Sequence, residues 1–201
     1  MYDIGRSKRA TKAWGFDDIA IVPSRRTRGI DQVNLSWKID ALSFDFPIIA
    51  APMDSVMSPA TAIAVGKLGG LGVLNLEGLW TRYDDPQAIF DELNAIDDVL
   101  TATRRMQEVY AEPIKAELIK SRLAEIRDAG VPVAGALSPR NTQEFASVVE
   151  ASGLDFFVIR GTTVSAEHVS DQVEPLNLKR FIYDMDVPVL VGGCATYQIC
   201  L

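Results

Sequence analysis

The chain has 201 residues, of which 48% are apolar and 23% charged, with a formal net charge of −7. That length allows one sizeable core or two small ones. The acidic balance argues against broad binding to nucleic acid or to a membrane surface, yet leaves room for a local pocket that takes a small phosphorylated ligand.

The first ten residues, MYDIGRSKRA, are polar and charged, and no apolar signal core follows them. The longest apolar stretches, around 46–53 and 187–195, are too short to span a bilayer. These features predict a cytoplasmic protein. The two cysteines, Cys194 and Cys200, fit neither a metal-site spacing nor a disulfide framework.

In chain order, Phe16 to Pro23 reads as a short strand entering the body of the protein. Arg25, Arg26 and Arg28 read as a solvated arm. FPIIAAPM (46–53) is then the first of a series of buried-strand patterns, followed by SPATAIAVGKLGG. GVLNLE (72–77) precedes DPQAIFDELNAI, and VPVAGAL (131–137) precedes SPRNTQEFASVVEASG. LDFFVIRG (154–161) precedes a loop and EPLNLKRFIYDM. VPVLVGGCA (187–195) precedes TYQICL. The strands are continuous apolar runs, as in parallel sheets covered on both faces. Ser58-Pro59 and Asp85-Pro86 place a capping residue before a proline at helix starts. Gly69-Gly70, Gly130 and Gly153 fall where helices should end. Residues 97–130 form a longer gap. There Leu118, Ile119, Leu123 and Ile126 make a helical stripe, which predicts one or two extra helices rather than a further domain.

Repeated βα units leave two architectures: an open doubly wound sheet, or part of an eight-stranded barrel. No G-x-G-x-x-G follows any predicted strand, which weakens the dinucleotide-fold reading. In either case ligands belong at the carboxyl ends of the strands. Pro52, Met53 and Asp54 lie at such an end.

GFDDIAIVPS (15–24), FPIIAAPMDSV (46–56) and GKLGGLGVLN (66–75) together resemble the amino-terminal part of the IMP dehydrogenase/GMP reductase family. The similarity extends through VPVAGAL, DFFVIRGTT and VPVLVGGCAT. It is nearest to the short bacterial IMP dehydrogenase-related type without regulatory tandem repeats, since 97–130 is too short to hold them. The resemblance implies a (β/α)8 TIM barrel, of which this chain carries about five of eight units. Residues 1–201 would then be a single partial barrel domain, with 1–45 as an arm and 97–130 as a helical connection. It also implies a purine nucleotide substrate, oxidation or reduction at the 2-position with NAD (or NADP), and homotetramers among full-length relatives.

By resemblance, Ala51 and Met53 touch the purine and sugar. A polarizable Met side chain suits a flat heterocycle, and Pro52 fixes the backbone that presents it. Asp54 either holds the turn or bonds a ribose hydroxyl. On the residues alone, Met53 reads as barrel core and Asp54 as a cap of the next helix. Asn75 resembles a polar position near the nucleotide, or else simply closes a strand-to-loop turn. Reductase members place a catalytic lysine at the next position, where Leu76 stands here.

Arg160 takes the place of an aspartate that bonds the cofactor's ribose. Arginine cannot accept that bond, but it can hold a carboxylate or phosphate. Its plainer reading is an ion pair at the barrel rim. Gly161, Thr162 and Thr163 supply donors beside it. Gly192 and Gly193 allow close backbone approach to cofactor. Cys194 falls where relatives have an asparagine that contacts cofactor; as a residue it reads as a small buried thiol. His168, the only histidine, reads as a surface residue. The family's catalytic cysteine has no counterpart among these positions. The resemblance therefore implies a carboxyl-terminally truncated IMP dehydrogenase-type chain with no catalytic residue of its own and no activity alone. The alternatives are a GMP reductase and a non-catalytic nucleotide-binding fragment.

Overall fold

Apolar runs that can be buried on both faces assemble here into one parallel sheet. The computed structural model describes residues 2–3, 5–161 and 176–194. Its parallel strands are β1 (Ile49–Ala50), β2 (Leu71–Asn75), β3 (Ala134–Leu137), β4 (Phe156–Arg160) and β5 (Val189–Gly192). They lie side by side in chain order. A doubly wound sheet reverses its order at a switch point, and this one does not. The sheet curls as a half-barrel, the partial (β/α)8 arrangement that the sequence predicts.

The helices are α1 (Pro59–Lys67), α2 (Gln87–Asn94), α3 (Val99–Val109), α4 (Ala116–Asp128), α5 (Pro139–Ala151) and α6 (Leu178–Asp184). Their ends follow local chemistry. Ser58 Oγ accepts from Thr61 N at 3.0 Å, and Asp98 Oδ2 accepts from Thr101 N at 2.8 Å. Asp85 Oδ1 accepts from Gln87 N at 3.0 Å, so α2 starts one residue after Pro86. Gly130 (φ +72°) and Gly153 (φ +69°) turn the chain out of α4 and α5 in the left-handed conformation that only glycine adopts cheaply. The 97–130 gap holds α3 and α4, with the predicted stripe Leu118, Ile119, Leu123 and Ile126 buried.

Alternate strand residues share a face. Leu74, Leu76, Leu137, Phe157 and Ile159 pack outward against the helices, with Ile119, Leu123, Ile126 and Val149. Leu71, Val73, Ala134, Ala136 and Phe156 form a second cluster on the inner face. Small residues on that face leave space, which a preceding hairpin, Trp37–Ile39 with Leu42–Phe44, fills. Phe44 stacks on Trp37 (4.7 Å between ring centroids) and meets Phe156 at 6.0 Å. Asn75 and Arg160 follow on the same face toward the carboxyl ends, with Gly192 registered against Arg160.

Helix α1 seats on β2 at a glycine. A Cβ on Gly72 would lie 2.6 Å from Ala62 Cα. Gly72→Ala is therefore expected to push α1 off the sheet and cost about 1–3 kcal/mol. A urea midpoint equal to that of the parent would refute this close-packing argument.

Two expectations change. Only Ile49 and Ala50 of the 46–53 run pair as a strand, because Pro47 and Pro52 interrupt the donor pattern on either side. Phe16 to Pro23 forms no strand. Phe16–Asp18 is a 3-10 turn closed by Gly15 N donating to Asp18 Oδ2 at 2.9 Å. The chain divides into two compact units, residues 1–34 and 35–201. The first contains that turn, a second one at Ile30–Gln32 and a short antiparallel pairing of Tyr2–Asp3 with Arg9–Ala10. Among the described residues no helix is long and apolar enough to cross a membrane.

Candidate functional site at the carboxyl ends of the strands

Past Ala50 the chain turns tightly. Met53 N donates to Ala51 O at 2.9 Å around Pro52, and Met57 N returns to Met53 O at 2.8 Å. This turn leaves the Met53 side chain 48% exposed at the carboxyl end of β1, so it is not the core residue that its chemistry alone suggests. Ala51 is exposed beside it.

Asp54, next in the chain, ties the turn to its surroundings. Its Oδ1 accepts from Asn75 Nδ2 at 2.9 Å. Its Oδ2 accepts from Leu79 N at 2.7 Å and from the Tyr110 hydroxyl at 2.6 Å. Charge-assisted bonds of this kind are short and strong. Asp54 does not cap α1; Ser58 does. Glycine at 78 makes room for the carboxylate, since a Cβ there would stand 1.9 Å from Asp54 Oδ1. Asn75, 8% exposed at the end of β2, also accepts from Glu77 N through Oδ1 at 3.2 Å. It thus closes the strand-to-loop turn and braces Asp54 at once. Glu77 in turn accepts from Ser138 N through Oε1 at the start of α5.

Tyr110 ends α3. Burial pushes its phenol above the ordinary tyrosine value, and the bond to Asp54 pushes it further; the charges of Arg82 and Arg160 pull the other way. The Arg82 guanidinium lies over the Tyr110 ring at 5.6 Å. Arg160 is exposed at the end of β4 and pairs with no acid among the described residues, so the ion pair at the rim is not seen there. Beyond it the backbones of β4 and β5 stay joined: Gly161 N donates to Gly192 O at 2.8 Å, and Gly193 N to Gly161 O at 2.9 Å. A Cβ on Gly192 would meet nothing within 4 Å among the described residues.

Cys194 is exposed, not buried, and its thiol donates to Val191 O at 3.9 Å. It lies two residues past the end of β5. Thr162, Thr163 and His168 lie outside the described residues.

The structure therefore brings Ala51, Met53, Asp54 and Asn75 into one cluster. Arg160, Gly161, Gly192 and Gly193 stand at neighbouring strand ends on the same rim. The partners Gly78, Leu79 and Tyr110 were not foreseen. A glycine three residues after a strand-end asparagine was a usable signal for the first. Nothing local marks a tyrosine 56 positions from its acceptor.

Comparison with known proteins gives the family. The family model for the IMP dehydrogenase / GMP reductase domain matches residues 13–200. An uncharacterized oxidoreductase of Mycobacterium tuberculosis (strain ATCC 25618 / H37Rv) is 43% identical over 205 residues, covering 100% of this chain and 55% of its own length. An inosine-5'-monophosphate dehydrogenase of Methanocaldococcus jannaschii is 38% identical over 66 residues, 33% of this chain and 13% of that protein. The crystal structure of an IMP dehydrogenase/GMP reductase-like protein from Corynebacterium glutamicum superimposes with a TM-score of 0.91 at 43% identity, over 98% of this chain and 53% of its own. The chain spans about half the length of the curated relatives that match all of it. With a family model fitting nearly every residue, this chain belongs to the IMP dehydrogenase/GMP reductase family.

Proposed function

We propose that the carboxyl ends of β1 and β2 form the purine side of a nucleotide oxidoreductase site working in the dehydrogenase direction: IMP, NAD and water giving XMP and NADH. The observation that carries this reading is the bracing of the Ala51–Asp54 turn by Asn75, Leu79 and Tyr110. The bracing sets an exposed, polarizable Met53 at a fixed place on the rim. A flat heterocycle lying on Met53 and Ala51 would lose little on binding, because the turn is already ordered. Asp54 spends three acceptor positions on the protein itself. Its part is to hold the turn rather than to grip a ribose.

The nicotinamide dinucleotide, when bound, supplies the hydride acceptor. Arg160 with the backbones of Gly161, Gly192 and Gly193 would face it. The fit is to its phosphates: an exposed guanidinium donates only, and glycines at 192 and 193 add no side chain to obstruct a close approach. A reductase reading is weakened at Leu76. This side chain is fully buried among the outward-facing leucines, where a lysine would have no route to ligand.

The chemistry of this reaction class needs a thiolate to add to the purine ring. Cys194 is held against its own strand's carbonyl, so we assign it no such part. The 201-residue chain is thus expected to bind IMP in calorimetry but to give no rise at 340 nm with IMP and NAD, and no fall with GMP and NADPH. NADH formation by the purified chain would overturn the second statement, and absence of heat with IMP the first.

A further inference from the structure

We infer that Tyr110 is a positioning residue for the substrate turn, so that the connection between α3 and α4 sets where that turn presents Met53. Taking the turn as that site rests on the function proposed above; the mechanical part does not.

Three donors converge on the Asp54 carboxylate, and they differ in kind. Asn75 and Leu79 belong to the β2 end and its following loop. The Tyr110 hydroxyl alone comes from the connection between helices that lies outside the regular βα repeat. That connection is itself fastened at several points. Tyr83 Oη donates to Val109 O at 2.9 Å, and Lys115 N donates to Thr81 O at 2.8 Å. Arg82 donates through Nη1 to Glu112 O and through Nε to Glu77 O at 3.0 Å.

Arg82 therefore bridges the β2 loop to the 110–115 segment, while its guanidinium supports the Tyr110 ring from one side. The ring is thus set before any ligand arrives, and its hydroxyl reaches Asp54, the residue that follows Met53 in the chain. The phenol stays protonated above the ordinary tyrosine range, so it remains a donor under neutral conditions. A ring held this firmly, with its hydroxyl committed to the turn, acts on ligand through Asp54 and Met53.

The test compares the full 201-residue chain with Tyr110→Phe, Asp54→Asn and the double variant. Phe keeps the ring over Arg82 and removes only the hydroxyl. Met53 is followed by its 13C-methyl resonance, assigned through Met53→Leu. Tyr110→Phe is expected to shift that methyl signal and to weaken IMP binding about tenfold, with the melting temperature lowered by only a few degrees. In the Asp54→Asn background the same change should add no further weakening, because the path through the carboxylate is already broken. An unmoved Met53 methyl in Tyr110→Phe overturns the inference, as does a double variant whose losses simply add. If the parent chain binds no IMP, the nucleotide reading fails. The methyl shift then still decides whether Tyr110 positions the turn.

Discussion

Asp54→Ala is expected to lower stability by about 2–4 kcal/mol and to abolish IMP binding by the chain. The energy follows from what is left behind. Asn75 Nδ2, Leu79 N and the Tyr110 hydroxyl all lose one acceptor together. An uncompensated donor costs about 1–3 kcal/mol when buried, less where water can enter, and this site is only partly enclosed. The functional loss is larger than the stability loss, because the Ala51–Met53 turn has no other side-chain tether among the described residues. Denaturant midpoints and calorimetry measure the two effects separately. A variant within about 0.5 kcal/mol of the parent would show that the carboxylate contributes nothing beyond an ordinary surface acid.

Leu76→Lys has the second large effect, and it bears on the reductase reading. Leu76 is fully buried in the cluster that joins β2 and β3 to α4. It also lies against Gly135, where a Cβ would come within 2.5 Å of Leu76 Cδ1. An ammonium placed there has no carboxylate partner in that apolar cluster and no exposed path along which to extend. A penalty of about 3–5 kcal/mol is expected, seen as a large drop in melting temperature or failure to fold. GMP with NADPH should show no turnover. A Leu76→Lys chain as stable as the parent, with its lysine reaching ligand, would mean that β2 presents its other face to the site.

Much of this was legible in the amino-acid sequence. Continuous apolar runs announced parallel strands, Ser58 and the paired Gly residues marked helix ends, and the placement of Asp54 with Asn75 followed from both being at strand ends. Arrangement across the sheet was not legible. The two-residue length of β1 comes from prolines that break a run whose hydropathy continues through them. Cys194 is exposed beyond the end of β5, and a small apolar residue type does not report that. Tyr110 reaches Asp54 only because the α3 excursion folds back over the β2 loop, a tertiary outcome that no window of residues encodes.

The brevity of β1 carries a last consequence. Two paired residues give the backbone leading into Met53 little stiffness of its own, so the accuracy with which the turn meets a ligand is set remotely, from positions 75, 79 and 110. On the proposed function, changes at those distant positions are expected to alter nucleotide preference without touching Ala51 or Met53. Libraries meant to alter selectivity should therefore vary the braces before the binding surface.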